Sequence, residues 1–463
     1  MRTNNKLMAL IVLSLIVAKP YNVFAAADAD SFRTDEYYGI GKNVFDLINA
    51  ADAYAKGYTG SGVTVGVADA GTVNFAHPEF SGKANNSVVY DNVTTAEIPL
   101  TWEEIDHPTH VAGIVSANKD GKGMHGVAYG AGIASSSVMG QYFSNGSFNP
   151  VIGYYDYYLV DPDIKIINNS WGTSIYLTDI TSYANFLDLR QELSNNQNYF
   201  LDIKRAADSD KLLVFAAGNA GHLTAGLEAN IDVLFEDKAY NDNIINVTAA
   251  KADSFTKNED GSFSAGSGAI VIFSDLAMYN EDTTLTAPGW NITSVYSDFD
   301  TNGKYYECYS GTSMAAPMVT GVGALVQQAF PYLSGKQIGD VLLSTANSNI
   351  KVEDGYFITL QEDYLEDNAK LNFNIYFTGE EPENFDKWNI LYEYYEKNKD
   401  VFLDYFYNGD EETFKSDFSE VTNKDSFKQV VVNRFHNYIF NENNITVYQN
   451  VPIDVILSVP SAQ

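Results

Sequence analysis

The stretch GTSMAAPMVTGVGALVQQAF, Gly311 to Phe330, joins a Thr-Ser pair to a run of small and apolar residues. Met314, Met318, Val322, Leu325, Val326 and Ala329 recur at helical spacing, which predicts a buried helix. Pro317 must lie in its first turn or kink it. Ser313 falls at the helix start, where backbone N–H groups lack intrahelical partners and the helix dipole favours negative charge. A serine there suits two roles. It can cap the helix, or attack a carbonyl while neighbouring N–H groups receive the developing oxyanion.

Working outward, short β-branched runs alternate with helical segments from Gly57 to about Ala346. The runs are Val63–Ala68, Ile164–Asn168, Leu212–Ala216 and Ile244–Ala249; Val111–Ala117 is a second helical stretch. Apolar strands alternating with helices predict an α/β fold, a mostly parallel β-sheet with helices on both faces. Sites in such sheets form beyond the carboxyl ends of the strands. Asp69 and Asn219 both stand just past such an end.

The whole chain sets outer limits. It has 463 residues, 45% hydrophobic and 14% aromatic, enough for a large core. A net charge of -32 makes nucleic acid and anionic membranes poor partners. Arg2 and Lys6 precede the apolar run Leu7–Ala18 and the small residues of Val23-Phe24-Ala25, a secretory leader over residues 1–25. That run is short for a permanent span, and no later one is apolar enough, so an exported protein is expected: secreted, periplasmic or on the cell surface. Cys308 is the only cysteine, which excludes an internal disulfide; a packed, apolar side chain is its expected role. Oligomeric state is not legible.

Two further stretches carry polar groups in Gly/Ala-rich surroundings. In VGVADAGTVNFAHPEF, Asp69 ends a strand, and His77 before a proline is expected to be structural. In DHPTHVAGIVSA, His107 and His110 are three apart, but a metal pair lacks a third ligand in the pattern. One imidazole acting as a base suits a side chain that titrates near neutrality.

Taken together, the Asp, His and Ser stretches resemble the subtilisin-like serine proteases, the subtilases, over GYTGSGVTVGVADAG to about Ala346. The chain order Asp, His, Ser is the family's. GTSMAAP is the most specific element, and HPTHVAG differs from the family pattern in having Pro108 for glycine. The resemblance implies a serine endopeptidase acting on polypeptides through Asp69, His107 and Ser313. AAGNAG implies Asn219 as oxyanion donor. NNSWG implies that Ser170, Trp171 and Gly172 pair with the substrate, with Ala217 and Gly218 walling the pocket for the residue before the cut. TAPG, Thr286–Gly289, is a further landmark. EYYGIGKNVFDLINAADAYAKGYTGSGV, from Glu36, resembles the start of bacterial autotransporter subtilases, although the tail is short for the barrel that ends them.

The domains expected are a leader (1–25), an N-terminal segment (26–56), a peptidase domain (57–350) and an acidic, aromatic-rich C-terminal extension (351–463). Within the extension, EYYEKNKDVFLDYFYNGDEETF reads as helix and ITVYQNVPIDVILSV as strand. All triad motifs precede it, so it is expected to be dispensable for chemistry. No cofactor is expected. The stretch Asn118–Gly126 has the length of a calcium-binding loop of some subtilases, with Asp120 as candidate carboxylate; a plain Asp-Gly turn is the alternative. Pro108 is expected at the first helical position with His107 as N-cap, where its missing N–H is harmless. A catalytically silent binding module and a peptide ligase using the same acyl-enzyme remain as rival functions.

Overall fold

The computed structural model describes residues 27–83, 88–90, 102–138, 141–142, 148–149, 155–172, 197–230, 243–277, 281–298, 303–365, 368–383, 385–434 and 444–451. The leader expected over residues 1–25 lies outside them, as does the end of the expected terminal strand after Val451.

Seven strands form one sheet: β1 (Thr64–Asp69), β2 (Val88–Tyr90), β3 (Gly132–Ser137), β4 (Ile164–Asn169), β5 (Leu212–Ala216), β6 (Ile244–Ala250) and β7 (Thr284–Pro288). Their order is β7-β6-β5-β4-β1-β3-β2, and every neighbouring pair is parallel. Alternate residues of a strand face opposite sides. Val65 and Val67 of β1 and Leu212 and Val214 of β5 join one core cluster. Ala68, Leu213 and Phe215 join a second. The first is covered by helices α1 (Trp102–Ser116) and α3 (Thr312–Ala329), the second by α2 (Gln197–Asp208) through Ile203 and Ala206. This is the predicted α/β sheet with helices on both faces.

The register fixes what the carboxyl edge presents. Asp69 pairs with Ser137, and Ala68 with Asn169. The adjacent strands β5, β4 and β1 therefore deliver Asn219, Ser170 and Asp69 to one edge. Helix α1 reaches that edge by packing tightly on β8 (Ile292–Val295): a Cβ on Gly113 would sit 2.3 Å from the Ser294 hydroxyl.

Two expectations need correction here. Helix α1 begins at Trp102, so His107 is not its N-cap and Pro108 lies inside it. Packing decides this: Val111, Ala112, Ile114 and Val115 are all fully buried, which offsets a proline penalty of about 3 kcal/mol. Cys308 is exposed rather than packed. It sits on β9 (Tyr306–Tyr309), opposite Thr293 in an antiparallel pair with β8 that leaves this face open.

The N-terminal segment is not a loose lead-in. Tyr37, Ile40, Val44, Phe45 and Tyr54 are buried in the first core cluster. The C-terminal extension joins the same cluster. Its strands β10 (Tyr356–Leu365) and β11 (Asn368–Phe377) are antiparallel, and β12 (Ile445–Tyr448) runs parallel to β11. The Leu360 N–H donates to the Ile272 carbonyl at 2.6 Å. The helices expected from its aromatic run are present, among them α5 (Lys387–Lys397), α6 (Lys399–Tyr407) and α7 (Glu411–Asp417); α4 (Gly335–Thr345) precedes them. Among the described residues no helix is long and apolar enough to cross a membrane.

Candidate active site

Asp69 is the last residue of β1 and fully buried. Its Oδ1 accepts from the Ala70 N–H at 2.7 Å and lies 2.7 Å from His107 Nδ1. A carboxylate only accepts, so the shared proton sits on Nδ1 and Nε2 is left as an acceptor. His107 itself is half-buried in α1. The second histidine goes elsewhere. The His110 ring packs 4.3 Å from that of Tyr309, and its Nε2 lies 3.1 Å from the Glu307 carbonyl oxygen. Burial pushes His110 down to about 3, so it is a neutral core group. His77 is also buried, with Nε2 3.2 Å from the Tyr305 carbonyl.

Ser313 is the second residue of α3, whose N-cap, Gly311, has no side chain to cap it. The Ser313 hydroxyl donates to the Ser170 carbonyl at 3.1 Å. The return contact has a clear cause. In an unbroken helix the Ser313 carbonyl would accept from the N–H four residues on, but that residue is Pro317, which has none. The Ser170 hydroxyl donates to it at 2.9 Å in its place. Ser170 and Ser313 are thus bonded in both directions.

Asn219 is exposed at the end of the turn that leaves β5. Gly218 makes the turn at φ +118, a conformation that favours glycine. The Asn219 Oδ1 accepts from both the N–H and the hydroxyl of Thr312, at 2.8 and 2.9 Å. With its oxygen end held, the amide NH2 is the end left to face outward. Behind it, the buried Asp275 carboxylate accepts from the Ala220 and His222 N–H groups at 3.1 and 2.6 Å and fixes the loop.

His107, Asn219, Ser313 and Met314 line one open cleft of about 640 Å³. The structure thus gathers Asp69, His107, Ser313 and Asn219 at one place. Ser170, Trp171, Gly172, Ala217 and Gly218 do not line this cleft. They connect to it through hydrogen bonds: Ser170 is bonded to Ser313, and the Gly218 N–H donates to Thr312 Oγ1 at 3.1 Å. The sequence reading missed Thr312, although it stands inside GTSMAAP, because its role needs the Asn219 loop beside it. It also missed Asp404, Tyr405, Asn408 and Gly409, which line the cleft from the C-terminal extension. No motif announces those.

At the loop Asn118–Gly126 the carboxylates of Glu36 and Asp120 engage protein groups. The Glu36 carboxylate accepts from the N–H groups of Asp120 and Gly121 at 2.7 and 2.9 Å, and Asp120 pairs with Lys122 at 3.1 Å. Among the described residues no three His, Cys, Asp or Glu side chains gather as a metal site.

Comparison with known proteins bears on the same region. Residues 60–373 match the Subtilase family. An extracellular serine protease of Serratia marcescens is 29% identical over 359 residues, covering 68% of this chain and 32% of that protein. A second Serratia marcescens extracellular serine protease is 30% identical over 342 residues, covering 65% and 31%. Subtilisin E of Bacillus subtilis is 27% identical over 313 residues, covering 67% and 65%. The chain spans about a third of the length of the two Serratia proteins. Among solved structures, a cold adapted subtilisin-like serine proteinase superposes with a TM-score of 0.43 at 26% identity, covering 64% of this chain and 86% of that one.

Proposed function

The chain belongs to the subtilase family, and from that premise we propose that it is an exported serine endopeptidase. Ser313 is the nucleophile, His107 the general base, Asp69 the carboxylate that orients the base, and Asn219 an oxyanion donor. What supports this reading most is the 2.7 Å Asp69–His107 contact beside a cleft that His107, Ser313 and Asn219 share.

The chemistry follows in order. The Ser313 hydroxyl turns from the Ser170 carbonyl toward His107 and attacks the scissile carbonyl carbon. Its proton passes to His107 Nε2, and the imidazolium is stabilised by Asp69. Negative charge collects on the carbonyl oxygen, where the Asn219 NH2 and the Ser313 N–H donate to it. The C–N bond breaks as His107 returns the proton to the departing amine. Water then attacks the acyl-enzyme by the same route, giving a free carboxylate and regenerating Ser313. The residues before the cut lie extended beside Ser170, Trp171 and Gly172 as an added strand. Ala217 and Gly218, with little side chain, leave room for a large apolar or aromatic side chain before the cut.

The test is direct. Purified protein is treated with a phosphonofluoridate and the modified residue located by mass spectrometry; casein cleavage is followed in parallel. Label on Ser313, with cleavage lost by several orders of magnitude in a folded Ser313→Ala variant, is the expected result. Unlabelled, inactive wild-type protein sinks the proposal, and ligated rather than hydrolysed products redirect it.

A further inference from the structure

The extension contributes a charged wall to the cleft. Helix α6 and the turn after it bring Asp404, Tyr405, Asn408 and Gly409 to the same space as Ser313 and His107. The wall is well anchored. Tyr405 stacks on Phe273 with ring centroids 6.1 Å apart and planes 22° apart, and Phe273 in turn meets Trp290 at 6.0 Å. At the start of α6, Asp400 forms an ion pair with Lys251 next to β6. Leu360 and Ile272 add the backbone bond between extension and sheet domain.

The side of the cut that this wall serves follows from what the cleft contains. On the proposed reading the residues before the cut run along Ser170–Gly172, none of which lines the cleft. The cleft instead holds Cys308, Tyr309 and Met314 together with the extension. A chain passing through the reacting point leaves in this direction, so the cleft receives the departing half of the substrate.

Its charge is lopsided. Asp404 is half-buried, and its only side-chain neighbour at bonding range among the described residues is the Asn291 amide, at 3.5 Å. The nearby cations are engaged: Lys251 by Asp400, and Lys304 by Glu307. Burial pushes the Asp404 carboxyl up, with Asp400 adding to it and the Asn291 bond and the more distant Lys251 opposing it, a direction that an incoming cation would reverse.

We infer that Asp404 is a specificity-determining residue, and that the cleft it lines accepts a lysine or arginine among the first two residues after the cut. The aromatic faces of Tyr405 and Tyr309 suit the stem of such a side chain, and Asp404 its charged head. This rests on the endopeptidase reading above. A half-exposed pair of this kind favours the cation over a neutral side chain by roughly fivefold, and like-charge repulsion widens the gap to glutamate.

The experiment uses the full chain. A casein digest supplies one efficiently cut sequence. Internally quenched peptides of that sequence carry Arg, Gln or Glu at the first or second position after the cut, and kcat/KM is measured for each. Wild-type protein should rank Arg over Gln over Glu at one position at least. In Asp404→Asn the Arg-to-Glu ratio should collapse toward one, and in Asp404→Lys it should invert. Equal rates for Arg, Gln and Glu at both positions in wild-type protein overturn the inference, as does an unchanged ratio in Asp404→Asn. Either result, with Ser313 labelled and casein cut, leaves the endopeptidase reading standing. Wild-type protein that takes no label and cuts nothing removes both.

Discussion

Thr312 offers the sharpest test of how Asn219, the proposed oxyanion donor, is held. The two ends of the Asn219 amide have nearly the same shape, and only the nitrogen end can donate. Thr312 chooses between them, because its N–H and its hydroxyl both donate to Oδ1. Thr312→Val keeps the side-chain shape and the N–H but removes the hydroxyl, which donates to Asn219 and accepts from the Gly218 N–H. The flipped amide then loses less against the correct one. A net hydrogen bond of about 0.5–1.5 kcal/mol sets the size of that loss. Converted to rate, kcat should fall about 2- to 10-fold. This is far short of the 10²–10³-fold loss known for deleting the equivalent donor in subtilisin, which is the loss expected for Asn219→Ala. KM should stay within about twofold, because the amide acts on the oxyanion and not on the bound substrate. The assay is steady-state hydrolysis of one peptide amide by wild type, Thr312→Val, Thr312→Ser and Asn219→Ala. Thr312→Ser keeps a hydroxyl and should recover most of kcat. The reasoning fails if Thr312→Val matches wild type while Asn219→Ala loses a hundredfold. It fails equally if Thr312→Val is as damaged as Asn219→Ala.

Two further predictions concern the frame of the site, both measured in a Ser313→Ala background to prevent self-digestion. Ser170→Ala strands the Ser313 carbonyl and the Asn168 amide and should cost about 1–3 kcal/mol of stability; with Pro317→Ala present, the restored N–H takes over that carbonyl and the cost should be smaller by about 1 kcal/mol. Equal costs in the two backgrounds, from urea unfolding, would refute the exchange of partners. His110 is held neutral down to about pH 3 by burial, whereas an unfolded histidine titrates near 6.5. Between those values the unfolded chain binds the extra proton, so this contribution is intact above pH 6.5 and lost as pH falls, about 2 kcal/mol by pH 5. His110→Phe should therefore have a flatter decline in urea midpoint from pH 7 to pH 5, and an identical slope in the two proteins would count against the assignment.

The sheet was legible because its central strands are buried on both faces. Runs such as Leu212–Ala216 must then be apolar throughout, and turn residues mark where each run stops. The strand-end placement of Asp69 and Asn219 was legible for a related reason, whereas Ser313 joined them only through the family resemblance. Groups at strand ends and helix starts sit in Gly/Ala-rich turns, and a parallel sheet brings such ends to one edge. Pro108 was misread because a local rule was applied at His107, while the start signal further up, Thr101 with Glu104 three residues on, was passed over. The rule concerns what one N–H costs, while the position was decided by four fully buried side chains downstream of it.

The extension was illegible for a different reason, and the reason bears on what the chain does. Its acidic, aromatic composition reads as a separate appendage because charge and Tyr content shift at Gly355. Burial follows another logic. Leu360, Phe373, Trp388 and Phe402 share one cluster with Val322 of α3, the helix that carries Ser313. A boundary in composition is therefore not a boundary in the core. Removing the extension would uncover Phe273 and Ile272, both buried, at the rim of the cleft. The dispensability expected from motif order alone thus has no support in the packing. On the proposed reading the motifs specify which atoms meet at the scissile bond. What stands opposite Ser313 and Met314 across the cleft, and hence on that reading which departing residue fits, comes from a segment that carries no motif.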